Sequence, residues 1–267
     1  MTIEEKEQSS HQEIAIILTD YSLNLVAKHG NFYDQTKALL SNTPQVQSSN
    51  YDIKVYDAQV GEFPEISQLG DKIKAIWITG SAHDAFADDE WIIKLTEYLA
   101  TIIKLQACPV VGICFGHQII GRAIGGSVGR NDKGWELGID KVQINSSDAE
   151  IKELFKDISE SKGDDNTFDI LEVHQDIVQS IPAGSDFKII GSTEKCAIQG
   201  IYKKDSVLTF QGHPEFNKPV LRDISVNIRE QGHISEEVLH KSLTDLKTLE
   251  HDGAGLMELV IAKFMGL

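Results

Sequence analysis

The feature of this sequence that most constrains its fold is the alternation of buried strands with amphipathic helices in the first half of the chain. Uninterrupted apolar runs at residues 14–18, 73–78 and 110–113 predict strands that are buried on both faces. Residues 51–56 alternate in character, as an edge strand does, and residues 89–105 repeat apolar positions at helical spacing. This alternation predicts a parallel sheet covered by helices, with ligands at the carboxyl ends of its strands.

After Ala123 the pattern changes to shorter strands, several of them antiparallel. Short strands are predicted at residues 134–144, 168–173, 188–191, 197–202 and 207–210. Further helices are predicted at residues 31–40, 219–231, 235–249 and 255–264, and another begins at Gly116. A capping box at 147–150 predicts a short helix that ends at residue 155. The predicted fold class is α/β: a flavodoxin-like three-layer sandwich with a mostly parallel central sheet, helices on both faces and a small antiparallel addition.

The most informative motif sets a cysteine between glycines at the end of a predicted strand, in the stretch Gly112-Ile113-Cys114-Phe115-Gly116-His117-Gln118. Small neighbours permit the strained strand-to-helix turn that can hold a nucleophile. The first free N–H groups of the following helix can lower the pKa of such a thiol and stabilise an oxyanion. Taken alone, Cys114 fits equally well as a small buried hydrophobic residue, which is the common fate of a free cysteine.

A second motif, Gln211-Gly212-His213-Pro214-Glu215-Phe216, follows the predicted strand at 207–210. Cysteine chemistry needs a base within hydrogen-bond reach and a third group that orients the imidazole. His213 fits the base and Glu215 the orienting group, and Pro214 between them stiffens the link by fixing φ. Since His-Pro-Glu on its own is an ordinary surface turn, the hypothesis of a Cys-His-Glu triad depends on both motifs together.

Together these motifs resemble the signature of the class I glutamine amidotransferases, in which a Gly-x-Cys-x-Gly-x-Gln turn is followed further along the chain by His-Pro-Glu. The resemblance spans residues 14–216. It implies that Cys114 is the nucleophile, that His213 is the general base and acid, and that Glu215 orients His213.

The resemblance also implies an oxyanion hole. Thr79-Gly80-Ser81 is similar to a glycine-containing loop of the family. The backbone N–H of Gly80 or Ser81 would join that of Phe115 in binding the oxyanion.

Three more residues are implied to lie near the substrate. The family's pattern places Gln118 at the amino-acid end of the substrate, although a glutamine at a helix N-terminus can equally cap backbone groups. His174-Gln175-Asp176 is similar to the family's His-x-Asp-x-Val stretch, which lies beside the γ-glutamyl substrate. On residue type alone, a histidine at a strand end is more often structural than functional.

Residues 80–92 and 134–138 most resemble the stand-alone cytosolic branch of the family, which includes plant γ-glutamyl peptidases. The implied function is hydrolysis of a γ-glutamyl amide through a cysteine thioester. The substrate is either glutamine, whose ammonia would need a synthetase partner chain, or a γ-glutamyl peptide such as glutathione or its conjugates, which needs no partner. A non-catalytic binding or regulatory protein on the same fold is the alternative from a different class.

The expected organisation is one domain with a tail and an extension. Residues 1–12 read as a polar N-terminal tail, 13–216 as the class I glutamine amidotransferase-like catalytic domain, and 217–267 as a C-terminal helical extension of that domain. With 267 residues, of which 41% are hydrophobic, the chain can bury one large core.

Composition limits the partners. A formal net charge of −16 repels nucleic acid and anionic membrane surfaces, so neither is expected to bind. No apolar run approaches the roughly 20 residues of a membrane span, and the start lacks a signal-peptide core, so a cytoplasmic location is expected. Three cysteines without close pairs, and no ligand spacing or nucleotide fingerprint, predict neither metal nor cofactor.

Overall fold

A seven-stranded sheet forms the centre of the computed structural model, which describes residues 12–21, 27–43, 46–47, 51–163 and 165–267. In chain order the strands are β1 (Gln12–Leu18), β2 (Tyr51–Asp57), β3 (Ile73–Ile78), β4 (Val110–Ile113), β5 (Ser127–Arg130), β6 (Glu136–Ile144), β7 (Thr167–His174), β8 (Asp176–Ser180), β9 (Lys188–Ile189), β10 (Gly191–Ser192), β11 (Ile201–Lys203) and β12 (Val207–Phe210).

Helices cover this sheet on both faces. They are α1 (Phe32–Asn42), α2 (Glu90–Leu105), α3 (Phe115–Ala123), α4 (Ala149–Leu154), α5 (Lys156–Ser161), α6 (Lys218–Glu230), α7 (Glu236–Thr248) and α8 (Gly253–Glu258), and a π-helical turn, Leu259–Phe264, continues α8. Short 3₁₀ turns lie at Ala27–His29, Ala58–Val60 and Ile66–Gln68. None of the helices in the described ranges is both long and apolar enough to cross a membrane.

The strand order of the central sheet is β2-β1-β3-β4-β12-β11-β9. The first five strands are parallel neighbours, which is the flavodoxin-like order, and β11 and β9 add an antiparallel edge. Two small antiparallel sheets, β10-β6-β7 and β5-β8, complete the fold. The predicted three-layer α/β sandwich with a small antiparallel addition is confirmed.

The register between β4 and β12 brings the two sequence motifs to one edge of the sheet. Phe210, the last residue of β12, pairs with Ile113, the last residue of β4. The N–H of Cys114 continues the ladder by donating to the carbonyl oxygen of Phe210 over 2.9 Å. The residues that follow each strand therefore leave the sheet side by side, at its carboxyl edge.

The core consists of two large apolar clusters, one on each face of the sheet. Because successive side chains of a strand point to opposite faces, Ile14 and Ile16 of β1 join one cluster, and Ala15 and Ile17 join the other. The first cluster also holds Cys114 and buried residues of 256–265. The second is covered by α2 and by Phe115, Ile119 and Ile120 of α3. A third, smaller cluster includes apolar side chains of α6.

Some predicted elements differ from the structure. The strand predicted at 188–191 divides into β9 and β10, which belong to different sheets. The N–H of Ile190 donates to the carbonyl oxygen of Gly200, next to β11, while its own carbonyl oxygen accepts from the N–H of Asn145, next to β6. Of 197–202 only the last two residues lie in a strand. The helix predicted up to residue 155 is α4, and α5, which follows it, was not predicted. Strands β5 and β8 were not predicted. β1 begins at Gln12, which the predicted tail had included, and residues 1–11 lie outside the described ranges.

Candidate active site

Cys114 occupies a strained turn between β4 and α3. Its backbone has φ 53° and ψ −106°, a region that costs a non-glycine residue about 1–3 kcal/mol. Glycines on either side make the turn possible. A β carbon on Gly112 would lie 2.6 Å from the carbonyl oxygen of Gly116, and one on Gly116 would lie 2.6 Å from that of Ile78. The local sequence therefore permits a close approach of backbones that side chains would prevent.

His213 and Glu215 form a buried pair beyond the end of β12. Nδ1 of His213 lies 2.8 Å from Oε1 of Glu215, and both side chains are 2% exposed. The imidazole stacks on the ring of Phe216, with centroids 4.1 Å apart and planes within 6°. Nε2 has no hydrogen-bond partner of good geometry within the described residues. One ring nitrogen is thus fixed by a carboxylate and the other is available.

The charge of His213 depends on these neighbours. Burial lowers its pKa, but the nearby Glu215 and Cys114 outweigh burial and raise the pKa to about 10. The imidazole is therefore protonated at neutral pH.

Cys114 and His213 line one cavity of about 470 Å³, within the size range of small-molecule sites. Part of its wall is polar and contains Ser81, Asp84, Gln118, Arg130 and Asp176. Another part is apolar and is formed by side chains of the third cluster, namely Phe32, Trp135, Val173, Phe216, Ile224 and Ile228. The cavity therefore offers two chemically different surfaces around the thiol.

The loop that contains Gly80 and Ser81 is held by the end of β1. Oγ1 of Thr19 donates to the carbonyl oxygen of Gly80 over 2.9 Å, and the N–H of Ala82 donates to Oδ2 of Asp20 over 2.6 Å. A β carbon on Gly80 would lie 3.2 Å from Cε1 of His213, so this backbone passes directly beside the imidazole.

Three backbone amides in this region have no hydrogen-bond acceptor among the residues that the structure describes. They belong to Gly80, Ser81 and Phe115, and no hydrogen bond joins any of them to the described part of the chain. Phe115 begins α3, so its N–H has no acceptor within the helix. The predicted oxyanion donors thus have free N–H groups near the thiol.

Gln118 is part of a buried polar chain that ends at the thiol. Its Nε2 donates to the carbonyl oxygen of Asp176 over 2.8 Å and to Oε1 of Gln211 over 3.1 Å. Nε2 of Gln211 in turn lies 3.7 Å from Sγ of Cys114. Gln211 stood inside the second motif, but no role had been predicted for it. Its contact to the thiol became visible only through the pairing of β4 with β12.

His174 lines the cavity but is held from behind by two carboxylates. Its Nε2 lies 3.0 Å from Oε2 of Glu136 and 3.2 Å from Oε2 of Glu172, and its Nδ1 is 3.1 Å from the carbonyl oxygen of Asp176. Burial lowers the pKa of His174, but the two glutamates raise it well above its ordinary value. These contacts hold the ring in place beside Asp176, and a role of His174 in substrate binding stays a prediction.

Asp176 lies at the polar wall, where it contacts Arg130. Nη1 of Arg130 is 3.0 Å from Oδ1 of Asp176, and Nη2 is 3.0 Å from Oδ1 of Asp84. Burial, with a hydrogen bond to Asp84, raises the pKa of Asp176 to about 6 in spite of the guanidinium. Neither Asp84 nor Arg130 had been singled out from the sequence, since each is an ordinary surface residue until the fold brings it to the cavity.

The other cysteines are away from this cavity. Cys108 and Cys196 are free and buried, and burial raises the pKa of Cys108 to about 11 and that of Cys196 further. Thiols of this kind stay protonated and inert.

Fold and site together define a class. Residues 30–222 match the model of the family described as glutamine amidotransferase class-I, so this chain belongs to the class I glutamine amidotransferases.

Within that family the chain is similar to proteins of a yeast and of a plant. It is 39% identical over 215 residues to a Saccharomyces cerevisiae protein provisionally named a glutamine amidotransferase, with 78% of this chain and 80% of the relative covered. It is 34% identical over 192 residues to γ-glutamyl peptidase 2 of Arabidopsis thaliana, covering 72% of this chain and 73% of the relative. The predicted resemblance to the branch that includes γ-glutamyl peptidases is confirmed.

Solved structures share the fold. A glutamine amidotransferase from Methylobacillus flagellatus superposes with a TM-score of 0.69 at 19% identity, covering 96% of this chain and 94% of that one. One from Thermotoga maritima gives a TM-score of 0.66 at 16% identity, covering 96% of this chain and 100% of that one. At these identities the likeness shows the architecture alone.

Proposed function

We propose that this protein hydrolyses a γ-glutamyl amide bond, with Cys114 as nucleophile, His213 as general base and acid, and Glu215 as the group that orients His213. The observation that carries the proposal is that the thiol and the imidazole line one cavity where β4 and β12 end side by side. The hydrogen bond that Nδ1 of His213 donates to Glu215 fixes the ring so that Nε2 stays free for proton transfer.

In the first half of the reaction the thiolate of Cys114 attacks the γ-carbonyl carbon of the substrate. The resulting oxyanion accepts hydrogen bonds from the amide of Phe115 and from that of Gly80 or Ser81, each worth about 3 kcal/mol at the transition state. The C–N bond then breaks as the imidazolium of His213 gives its proton to the leaving nitrogen. A γ-glutamyl thioester remains on the enzyme.

In the second half water attacks the thioester. His213, now neutral, takes a proton from that water, and the carbon–sulfur bond breaks to release glutamate and the thiolate. The chain's own side chains supply every proton transfer. No cofactor is required by this scheme.

The apolar wall of the cavity favours a γ-glutamyl peptide over glutamine. The leaving group of glutamine is ammonia, which has no surface to bury. The wall formed by Trp135, Phe216, Ile224 and their apolar neighbours suits a leaving group with carbon-containing side chains, such as the peptide released from glutathione or its conjugates. Glutaminase activity coupled to a synthetase partner chain is the second form of the same chemistry.

The test is incubation of the purified chain alone with glutathione and, separately, with glutamine. Free glutamate, cysteinylglycine and ammonia are measured for the wild type and for Cys114→Ala. Cys108→Ala is the matched control, since it removes another buried thiol that lies away from the cavity. We expect release of cysteinylglycine from glutathione by the wild type and the control, and none by Cys114→Ala.

Ammonia release from glutamine alone would support the glutaminase form instead. Equal turnover by wild type and Cys114→Ala would overturn the assignment of the nucleophile. If neither substrate is turned over but both bind in calorimetry, the protein is a binding or regulatory member of its fold.

A further inference from the structure

Three charged side chains, Asp84, Arg130 and Asp176, form a compact group on the polar wall of the cavity, which we call the charged corner. Arg130 and Asp176 are directly opposed in the antiparallel pair of β5 and β8, so that their side chains share a face. Arg130 contacts Asp176 over 3.0 Å and both carboxylate oxygens of Asp84 over 3.0 and 3.2 Å. Its guanidinium also lies 5.9 Å from the ring centre of Phe86. The position of the cation is therefore fixed from three sides.

The corner carries two carboxylates against one guanidinium, which leaves one net negative charge on the wall of the cavity that Cys114 also lines. Asp176 has a side chain only 10% exposed. Its buried Oδ1 faces Arg130 but accepts no well-aligned hydrogen bond from the described residues. That oxygen is closed off and held by the guanidinium, whereas the carboxylate of Asp84, which is 40% exposed, is open to a cation that enters the cavity.

Arg130 retains donors for an anion. A guanidinium has five N–H groups, and the contacts with Asp84 and Asp176 use at most three of them. The corner therefore presents acceptors for a cation and donors for an anion within one side-chain cluster. An α-amino acid carries both a cation, the ammonium group, and an anion, the carboxylate, on a single carbon.

The corner is also joined to the thiol. The carbonyl oxygen of Asp176 accepts from Gln118, Gln118 donates to Gln211, and Gln211 contacts Sγ of Cys114. In a γ-glutamyl group two methylene carbons separate the reacting carbonyl from the α-carbon. A substrate whose carbonyl lies at Cys114 must extend its α-carbon along the wall of this cavity.

We propose that the charged corner recognises the free α-amino acid end of the substrate, with Arg130 binding the α-carboxylate and Asp84 and Asp176 binding the α-ammonium group. This inference rests on the proposed γ-glutamyl hydrolysis. It makes Asp84 and Arg130 specificity-determining residues and restricts the substrates to γ-glutamyl compounds whose α-amino and α-carboxyl groups are both unblocked.

The test uses three substrates with one leaving group: γ-glutamyl-phenylalanine, glutaryl-phenylalanine, which lacks the ammonium group, and 4-aminobutyryl-phenylalanine, which lacks the carboxylate. Release of phenylalanine is measured. A charge-assisted hydrogen bond is worth enough to change kcat/KM by about 10- to 100-fold. We expect the wild type to cleave the γ-glutamyl compound faster than either analogue by that factor or more.

Variants then assign each charge. Asp84→Asn should lower kcat/KM for the γ-glutamyl compound but not for the glutaryl compound, so selectivity for the ammonium group declines. Arg130→Gln should lower kcat/KM for the γ-glutamyl compound but not for the 4-aminobutyryl compound, so the preference for a substrate with the α-carboxylate declines. Asp88→Asn is the matched control, because Asp88 is on the same loop and pairs with Arg122 without lining the cavity.

A purely structural role of the corner would lower cleavage of all three compounds by one factor, and that result would overturn the inference while leaving the proposed function intact. Equal cleavage of the three compounds by the wild type would do the same. Failure to cleave any of them, with glutathione also uncleaved, would instead overturn the proposed function and this assignment with it.

Discussion

Nδ1 of His213 lies 2.8 Å from Oε1 of Glu215, a side chain only two residues further along the chain. The two residues are joined through Pro214 alone, whose ring fixes φ and stiffens this short link. Phe216 completes the arrangement by stacking on the same ring. The histidine is thus held by its own segment, and the fold has only to bring that segment to Cys114.

Replacing Glu215 by glutamine should therefore reduce catalysis with little change in shape. The isosteric amide cannot hold the imidazolium as a carboxylate does, and the loss in kcat should be about 10²- to 10⁴-fold, as for an equivalent change in other triads. Steady-state kinetics with glutathione measure it. Glu250→Gln, which changes an exposed glutamate paired with Lys218, should retain full activity. Equal losses in both variants would contradict the orienting role.

The pH profile should show a decline in activity on the alkaline side. Because Glu215 and Cys114 raise the pKa of His213 to about 10, the imidazole keeps the proton that the leaving group needs until the pH approaches that value. We expect kcat/KM to fall as the pH rises through about 10. In Glu215→Gln the fall should begin at lower pH, since the carboxylate that raises the pKa is gone. An unshifted alkaline limb in the variant would rule out His213 as its source.

Stability should follow the same titration. A histidine whose pKa is raised from 6.5 to about 10 on folding stabilises the folded state fully below pH 6.5, and this stabilisation is lost as the pH rises through 10. The free energy of unfolding, measured by urea titration, should thus decline between these values. The decline should be smaller in His213→Gln, which no longer titrates.

Gly116→Ala should destabilise the protein. The added β carbon would meet the backbone carbonyl oxygen of Ile78 at 2.6 Å, so β3 and α3 must move apart at a cost of about 1–3 kcal/mol. Gly255→Ala is the matched control in another helix, where the nearest atom is a side-chain carbon at 3.7 Å. That change should be neutral or stabilise by up to about 1 kcal/mol. Urea unfolding of the two variants compares them, and similar stabilities would refute the packing argument.

Leu256→Ala should destabilise the protein by about 2–5 kcal/mol, because this side chain is fully buried in the cluster that also contains Cys114. Leu249→Ala removes a leucine that is 44% exposed and should change stability by less than about 1 kcal/mol. The difference tests whether residues 217–267 are part of the same cooperative unit, as predicted. Equal small effects would indicate that the C-terminal helices fold apart from the sheet.

Much of the fold could be predicted because the strands of the parallel sheet are continuous apolar runs. The proximity of Cys114 to His213 followed from the same logic, since each motif comes directly after such a strand. The roles assigned to them stay predictions. What could not be predicted depends on register between short strands: β5 and β8 carry no clear pattern, so the contact of Arg130 with Asp176 was invisible.

His174 illustrates the same limit. The sequence stretch around it suggested a residue beside the substrate, and the structure does place it at the cavity wall. Its partner Glu136 lies opposite it in the β6–β7 pair, and Glu172 is on its own strand. Local sequence does not determine cross-strand pairing of this kind. The sequence therefore did not predict that protein oxygens would lie close to both ring nitrogens of His174.

The packing of residues 256–265 against the cluster that contains Cys114 has a consequence for biosynthesis. Both motifs are translated before these residues, so the nascent chain at first carries its thiol in a core cluster that lacks this part of its cover. Chains that end between the second motif and residue 256 would contain every residue of the proposed triad but would lack part of the core. Such chains would be substrates for chaperones and proteases rather than enzymes, and full-length translation becomes a condition for a protected thiol.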